Sequence, residues 1–287
     1  MIRRRRDNHF AAAFLNKIRE VTAIFKDIKL IATDMDGTFV KKGAFELAPE
    51  DFDLIRALKS KGIIFAAASG RPYGSMRRMF APVAGNMMFI CDNGCNIMWQ
   101  GKNIYLRPMN REACFALADY VQTLPEEYEG VMCTIDSYVM MPKNDRDVLS
   151  LLWDWNMSVR AVERADKVID DVVKFSIFNR NGISAEFSDM MKSEWGGRVP
   201  HITASCREWL DFQDGDKGDG LRVAAERLGI PLAGVAAFGD SDNDIEMLKS
   251  AGYSYAMTEA AGEVKACAGY ECADVRDVLR ELLAQQP

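Results

Sequence analysis

Short apolar runs alternate with amphipathic stretches along most of this 287-residue chain. At the start, Phe10, Phe14, Ile18, Val21, Phe25 and Ile28 recur at three- and four-residue steps, the spacing that lays one apolar stripe along a helix. This N-terminal helical extension, residues 1–28, is read as packing on the core; the alternative is a partner-binding or dimerising segment, which makes a homo-oligomer a candidate state. A strand is expected over 29–34, ending in acid, and a helix over 49–61. Residues 63–68 read as a second buried strand. Ser69-Gly70-Arg71-Pro72 then breaks it and opens a helix, since proline suits a first helical turn. A third strand, 88–91, runs into Asp92-Asn93-Gly94. Strands alternating with helices imply a parallel sheet with its polar loops gathered at the C-terminal strand ends, where a ligand should sit.

After Gly94 the pattern changes. Residues 97–107 read as a hairpin, 111–124 as a helix, 131–141 as paired strands, 172–179 as a strand and 184–194 as a helix, together an α+β insertion. The α/β pattern returns near Val199, with strands expected over 198–203, 209–212 and 235–238 and helices over 217–228 and 243–250. The expected architecture is therefore α/β: a Rossmann-like parallel-sheet core of 29–96 and 199–287, interrupted by an α+β cap domain of 97–198.

Composition narrows the chemistry. Apolar residues make up 48% of the chain, enough for a packed core, and the net charge of −6 argues against bulk nucleic-acid binding, which needs clustered Lys and Arg. No apolar run approaches the ~20 residues that span a bilayer. Arg3 to Arg6 resembles the start of a signal peptide, but the apolar stretch behind it is short and charges follow closely, so a cytoplasmic, membrane-free protein is expected. Seven scattered cysteines read as reduced core thiols rather than a disulfide framework. Only His9 and His201 could act as imidazole bases, so carboxylates must carry any acid–base chemistry.

Two acidic loops each follow a strand directly: Asp34-Met35-Asp36-Gly37-Thr38 and Gly239-Asp240-Ser241-Asp242-Asn243-Asp244. Carboxylates crowded on one sheet edge repel each other unless a cation neutralises them, and hard oxygen donors without His or Cys favour Mg²⁺. Asp34 and Asp240 are then metal ligands. With the charge of an incoming phosphate ester screened, Asp34 can attack phosphorus while Asp36 protonates the leaving oxygen and later activates water. Thr38, Ser69 with Gly70, and Lys217 are the candidate phosphate contacts.

In this order, the Asp34–Thr38 segment, Ser69 within Ala-Ser-Gly-Arg-Pro, Lys217-Gly218 and the Gly239–Asp244 segment resemble the four motifs of the haloacid dehalogenase superfamily of phosphatases. With Asp92-Asn93-Gly94 ahead of the insertion, they resemble its Cof-like subclass, which carries a IIB cap. The resemblance covers residues 29–283. It implies a phosphoric monoester hydrolase acting on a small phosphorylated metabolite such as a sugar phosphate, nucleotide or pyridoxal phosphate. It further implies Asp34 as nucleophile, Asp36 as acid/base, and Mg²⁺ held by Asp34, the backbone carbonyl of Asp36, and Asp240. Asp244 would support the metal site, and Asn243 would contact phosphate or order its loop. Thr258-Glu259-Ala260 stands where the family often has Gly-Asn-Ala. A phosphomutase on the same fold and a non-catalytic binding or scaffold protein are the rival readings.

Overall fold

A computed structural model describes residues 27–40, 46–135, 137–143 and 158–285. The expected N-terminal helix, apart from Asp27 and Ile28, lies outside them. Ile28 is fully buried in the core.

The strands, in chain order, are β1 (Leu30–Asp34), β2 (Ile64–Ala68), β3 (Met88–Cys91), β4 (Asn96–Trp99), β5 (Lys102–Leu106), β6 (Tyr128–Thr134) and β7 (Ser137–Met140). They continue as β8 (Ser158–Ala161), β9 (Val172–Asn179), β10 (His201–Cys206), β11 (Trp209–Gln213), β12 (Val235–Gly239), β13 (Tyr253–Met257) and β14 (Tyr270–Cys272). One sheet has the order β14-β13-β12-β1-β2-β3-β4-β5 and the other β10-β11-β9-β6-β7-β8. In the first, β14 through β3 run parallel and only β4 and β5 are antiparallel.

All five residues of β1 are buried, as a strand covered on both faces requires. On one face, Ile31, Phe65 and Phe89 pack with Leu54, Ile55 and Leu58 of helix Pro49–Ser60 and with Leu279 and Leu282 of helix Val275–Gln285. On the other, Leu30, Ala66 and Ala237 pack with Leu221, Ala224 and Ala225 of helix Lys217–Leu228. The core is therefore a helix–sheet–helix sandwich. In the second sheet, one face packs on helices Arg111–Thr123 and Ala185–Trp195. Its other face carries Val131, Cys133, Tyr138, Phe178 and Trp209, which share a cluster with Cys95 of the core.

Sheet membership corrects the expected division of the chain. The hairpin of β4 and β5, expected to open the insertion, instead extends the core sheet from β3. Strands β10 and β11, expected to resume the core, bond antiparallel to β9 and belong to the cap sheet. Residue 97 therefore lies in the core sheet, and the two strands after residue 198 lie in the cap sheet. Periodicity finds a strand but cannot tell which edge it joins, because an edge of either sheet offers the same backbone partners. Cys91, Cys95, Cys114, Cys133, Cys267 and Cys272 are free thiols, and all of these but Cys267 are buried.

The two chain segments flanking the cap meet at Gly94. Its φ is +95°, and a Cβ there would lie 2.1 Å from the backbone oxygen of Asp216, the N-cap of helix Lys217–Leu228. Gly94→Ala is expected to lower stability by about 2–3 kcal/mol, whereas Gly262→Ala, with nothing within 4 Å of its Cβ, should not. Equal thermal midpoints for the two variants would refute this close approach.

Candidate active site

Strand order alone brings the two acidic loops together. β1 pairs with β2 on one side and with β12 on the other, so the chain reverses direction across the sheet at β1. A crevice opens at the strand ends where such a reversal occurs. Asp34 ends β1, Asp240 follows β12, and Thr33 lies in register with Phe238. Accordingly Thr38 Oγ1 donates to Asp240 Oδ1 at 2.9 Å. Gly37 permits this approach: its φ is +102°, and a Cβ there would stand 2.5 Å from Asp240 Oδ2. Phe39, buried against the rings of Phe65 and Phe80 with centroids at 5.1 and 6.4 Å, anchors the loop behind Thr38.

Lys217 sits at the first turn of its helix and is 1% exposed. Its Nζ donates to Asp34 Oδ1 at 2.5 Å and to Asp244 Oδ1 at 2.6 Å. Asp244 Oδ2 accepts from the backbone N–H of Asp240 at 3.0 Å and of Ser241 at 3.1 Å, so this fully buried carboxylate shapes the loop that presents Asp240. One oxygen from each of Asp34, Asp240 and Asp244 lies within 4.8 Å of the others. With all three carboxylates ionised, one ammonium leaves two negative charges uncompensated. Burial pushes the Asp34 carboxyl up to about 8, Asp244 adds to the rise, and Lys217 pulls against it. An all-oxygen donor set with that charge deficit fits a hard divalent cation.

Asp36 stands apart from this cluster and is paired with Arg71. Nε donates to Oδ2 at 2.9 Å and Nη2 to Oδ1 at 2.6 Å, a two-point grip on a carboxylate that is 41% exposed. Ser69 is buried after β2, in register beside the Asp34 loop, and its Oγ accepts from the Arg71 N–H at 3.2 Å. Asn243 Nδ2 donates to Asn93 Oδ1 at 3.2 Å. All the expected site residues thus lie on three neighbouring strand-end loops and the first turn of one helix.

The chain matches the haloacid dehalogenase-like hydrolases over residues 31–278. It belongs to that family. The 5-amino-6-(5-phospho-D-ribitylamino)uracil phosphatase YbjI of Escherichia coli (strain K12) is 28% identical over 265 residues, covering 90% of this chain and 97% of the relative. Phosphatase YwpJ of Bacillus subtilis (strain 168) is 25% identical over 273 residues, covering 84% and 93%. A crystal structure from Eubacterium rectale matches with a TM-score of 0.79 at 30% identity, over 89% of this chain and 99% of that one. A structure described as a HAD subclass IIB sugar phosphatase matches in fold, with a TM-score of 0.71 at 20% identity over 88% and 98%.

In this haloacid dehalogenase-like chain, three site features were not assigned from sequence. Arg71, read from sequence only as part of the break after the second strand, grips Asp36. Asn93 joins three units: its N–H donates to the Ser69 carbonyl at 3.0 Å, its Nδ2 to Gln213 Oε1 of the cap at 3.1 Å, and its Oδ1 accepts from Asn243. Both Asp92 and Asn93 hold positive φ, near +49° and +48°, a conformation that non-glycine residues keep only where surroundings impose it. Lys174 of β9, the third, does have a signal: it is the one charge in the stretch Val-Val-Lys-Phe-Ser-Ile-Phe.

The Asp34 carboxyl binds its proton more tightly when folded than when unfolded, since about 8 lies above the ordinary 3.8. Its contribution to the stability of metal-free protein is therefore full below the ordinary value and is lost as pH rises through the folded one. Asp34→Asn should flatten that part of the thermal-midpoint-against-pH curve. Superimposable curves for wild type and variant would refute the burial of this charge.

Proposed function

We propose that this phosphatase removes the phosphoryl group from a small phosphorylated metabolite, with Asp34 as nucleophile, Asp36 as acid/base and Mg²⁺ as cofactor. The observation that carries the reading is the convergence of Asp34, Asp240 and Asp244 around a buried Lys217, charges that a merely structural loop has no need to gather. Asp34, the Asp36 carbonyl and Asp240 would hold the ion, supported by Asp244. When bound it supplies positive charge that lets an anionic nucleophile and an anionic ester approach.

The chain's own groups then divide the work. Lys217 keeps Asp34 aimed and offsets its charge, leaving Oδ2 for attack on phosphorus. Thr38 and Ser69, with the backbone at Gly70, line the side where equatorial oxygens gather, and the N-terminus of helix Lys217–Leu228 adds positive potential. Asp36, the more exposed of the two loop aspartates, delivers a proton to the leaving oxygen. The aspartyl-phosphate formed on Asp34 is then hydrolysed by a water that Asp36 deprotonates. Arg71 fixes which way that carboxylate faces.

A relative named for 5-amino-6-(5-phospho-D-ribitylamino)uracil and another named an HMP-PP phosphatase support testing those phosphorylated metabolites first. The cap sets that choice, and no core motif encodes it. A cytoplasmic site of action accords with such metabolites. The scaffold reading is disfavoured because Asp34, Asp36, Lys217 and Asp240 are all in place.

Phosphate release from p-nitrophenyl phosphate should stop on chelation with EDTA and return with Mg²⁺. Asp34→Asn should lower kcat by at least about 10³-fold while keeping the wild-type circular dichroism. Metal-independent turnover would remove Mg²⁺ from the reading, and an active Asp34→Asn enzyme would remove the nucleophile.

A further inference from the structure

A group of buried polar side chains at the seam between cap and core takes no part in the chemistry proposed above. Lys174 is only 7% exposed, on a strand otherwise apolar but for Ser176 and its closing Asn179. Its Nζ donates to the backbone carbonyl of Gly70 at 2.9 Å and to Asp211 Oδ2 of β11 at 3.2 Å. Ser176 Oγ donates to the other oxygen of Asp211 at 2.6 Å. Asp92, fully buried, accepts from Asn96 through Oδ2 at 3.3 Å, while its Oδ1 has no partner. Burial opposes charge on Lys174, but the Asp211 carboxylate beside it holds the ammonium above the usual lysine range.

An ammonium buried at a seam is expensive, and an apolar side chain of similar length fills such a place at no electrostatic cost. Phe178 and Val173 do so on the same strand. What Lys174 adds over methionine is the bond to Gly70, the residue between Ser69 and Arg71. Ser69 is the phosphate contact proposed above, and Arg71 holds Asp36. A second cap strand grips the adjoining loop, where Gln213 accepts from Asn93, whose own N–H binds the Ser69 carbonyl. Two cap strands therefore fasten on the same pair of core loops, at Gly70 and at Asn93.

We propose that Lys174 is a positioning residue for phosphoryl transfer: by holding the Gly70 carbonyl it fixes residues 69–71, and through Arg71 the Asp36 carboxylate, in reacting geometry under a seated cap. The kinetic consequence rests on the phosphatase reading; the contact itself does not. Asp211 and Ser176 act through Lys174 by fixing where its ammonium points.

The test compares wild type with Lys174→Met/Asp211→Asn in the full chain, which removes both charges so that neither is left buried alone. With p-nitrophenyl phosphate and Mg²⁺, kcat should fall roughly 10–100-fold with KM little changed and the thermal midpoint near wild type. Amide hydrogen exchange over residues 69–71, measured without substrate, should be faster in the variant. Wild-type kcat in the folded variant overturns the proposal, as does unchanged exchange at 69–71. A raised KM at constant kcat also overturns it, making Lys174 a substrate contact instead. If neither protein hydrolyses the ester, the phosphatase reading fails by itself and the exchange experiment still decides the contact. Should the double variant not fold, Lys174→Gln, one bond too short to reach both Gly70 and Asp211, should show the same loss of kcat, and full activity there overturns the proposal.

Discussion

Lys217 lies buried between Asp34 and Asp244, and the rest of the site is arranged around that ammonium. Its partners are 183 and 27 residues away along the chain. Removing the ammonium would leave two carboxylates facing each other where little water can screen them, the circumstance in which a broken buried pair costs most. The same bond closes the core across the cap insertion, because Asp34 belongs to the segment before the cap and Lys217 to the segment after it. Asp244 turns this closure into loop geometry, since its second oxygen binds the amides of Asp240 and Ser241. A single ammonium thereby sets the distance between Asp34 and the loop that carries Asp240.

The sheet explains why these groups can meet at all. Reversal of strand order at β1 puts the ends of β1, β2 and β12 side by side, so three loops distant in sequence open onto one crevice. Glycine admits the contacts that follow: Gly37 lets its loop pass over Asp240, and Gly94 lets the turn after β3 touch the N-cap of the helix that bears Lys217. Carboxylates gathered so closely are in tension with stability, because burial opposes their charge. Burial raises the Asp34 carboxyl well above the ordinary carboxylate range. Asp36 avoids it by reaching out toward solvent and Arg71.

Much of the core was legible in the chain. Strands at 88–91 and 172–179 and the helix at 217–228 match their structural bounds to the residue, because apolar runs bounded by Asp, Asn or Gly leave little freedom in register or length. The acidic loops were legible for a similar reason: each follows a buried strand, and parallel strands end on one edge. The strands β13 and β14 and the helix Val275–Gln285 were not anticipated. The two strands are only five and three residues long, and they are held by parallel pairing with distant partners rather than by local pattern. Sheet membership of β4, β5, β10 and β11 was illegible on the same ground, being decided by which edge was open.

The cap teaches a different lesson about buried charge. A lysine in the middle of an apolar strand is easily passed over as a snorkelling side chain, since long stems often carry their charge out to water. Lys174 cannot do this: β9 is flanked in the sheet by β6 and β11, and the face bearing Lys174 is closed by the core. Its ammonium must find partners inside, and those it finds are a carboxylate of its own sheet and a carbonyl of the core. Asp211, in Trp-Leu-Asp-Phe-Gln, obeys the same constraint from the opposite sign. Complementary charges isolated in two apolar strands are thus a sequence-level sign that the strands pair and that their shared face is covered. The strands show which residues must be compensated, while only the packed seam shows that part of the compensation comes from the loop beside Asp34. An apolar substitute could close this seam as firmly, but it would have no hydrogen to give to Gly70, and the loop carrying Ser69 and Arg71 would lose its tie to the cap.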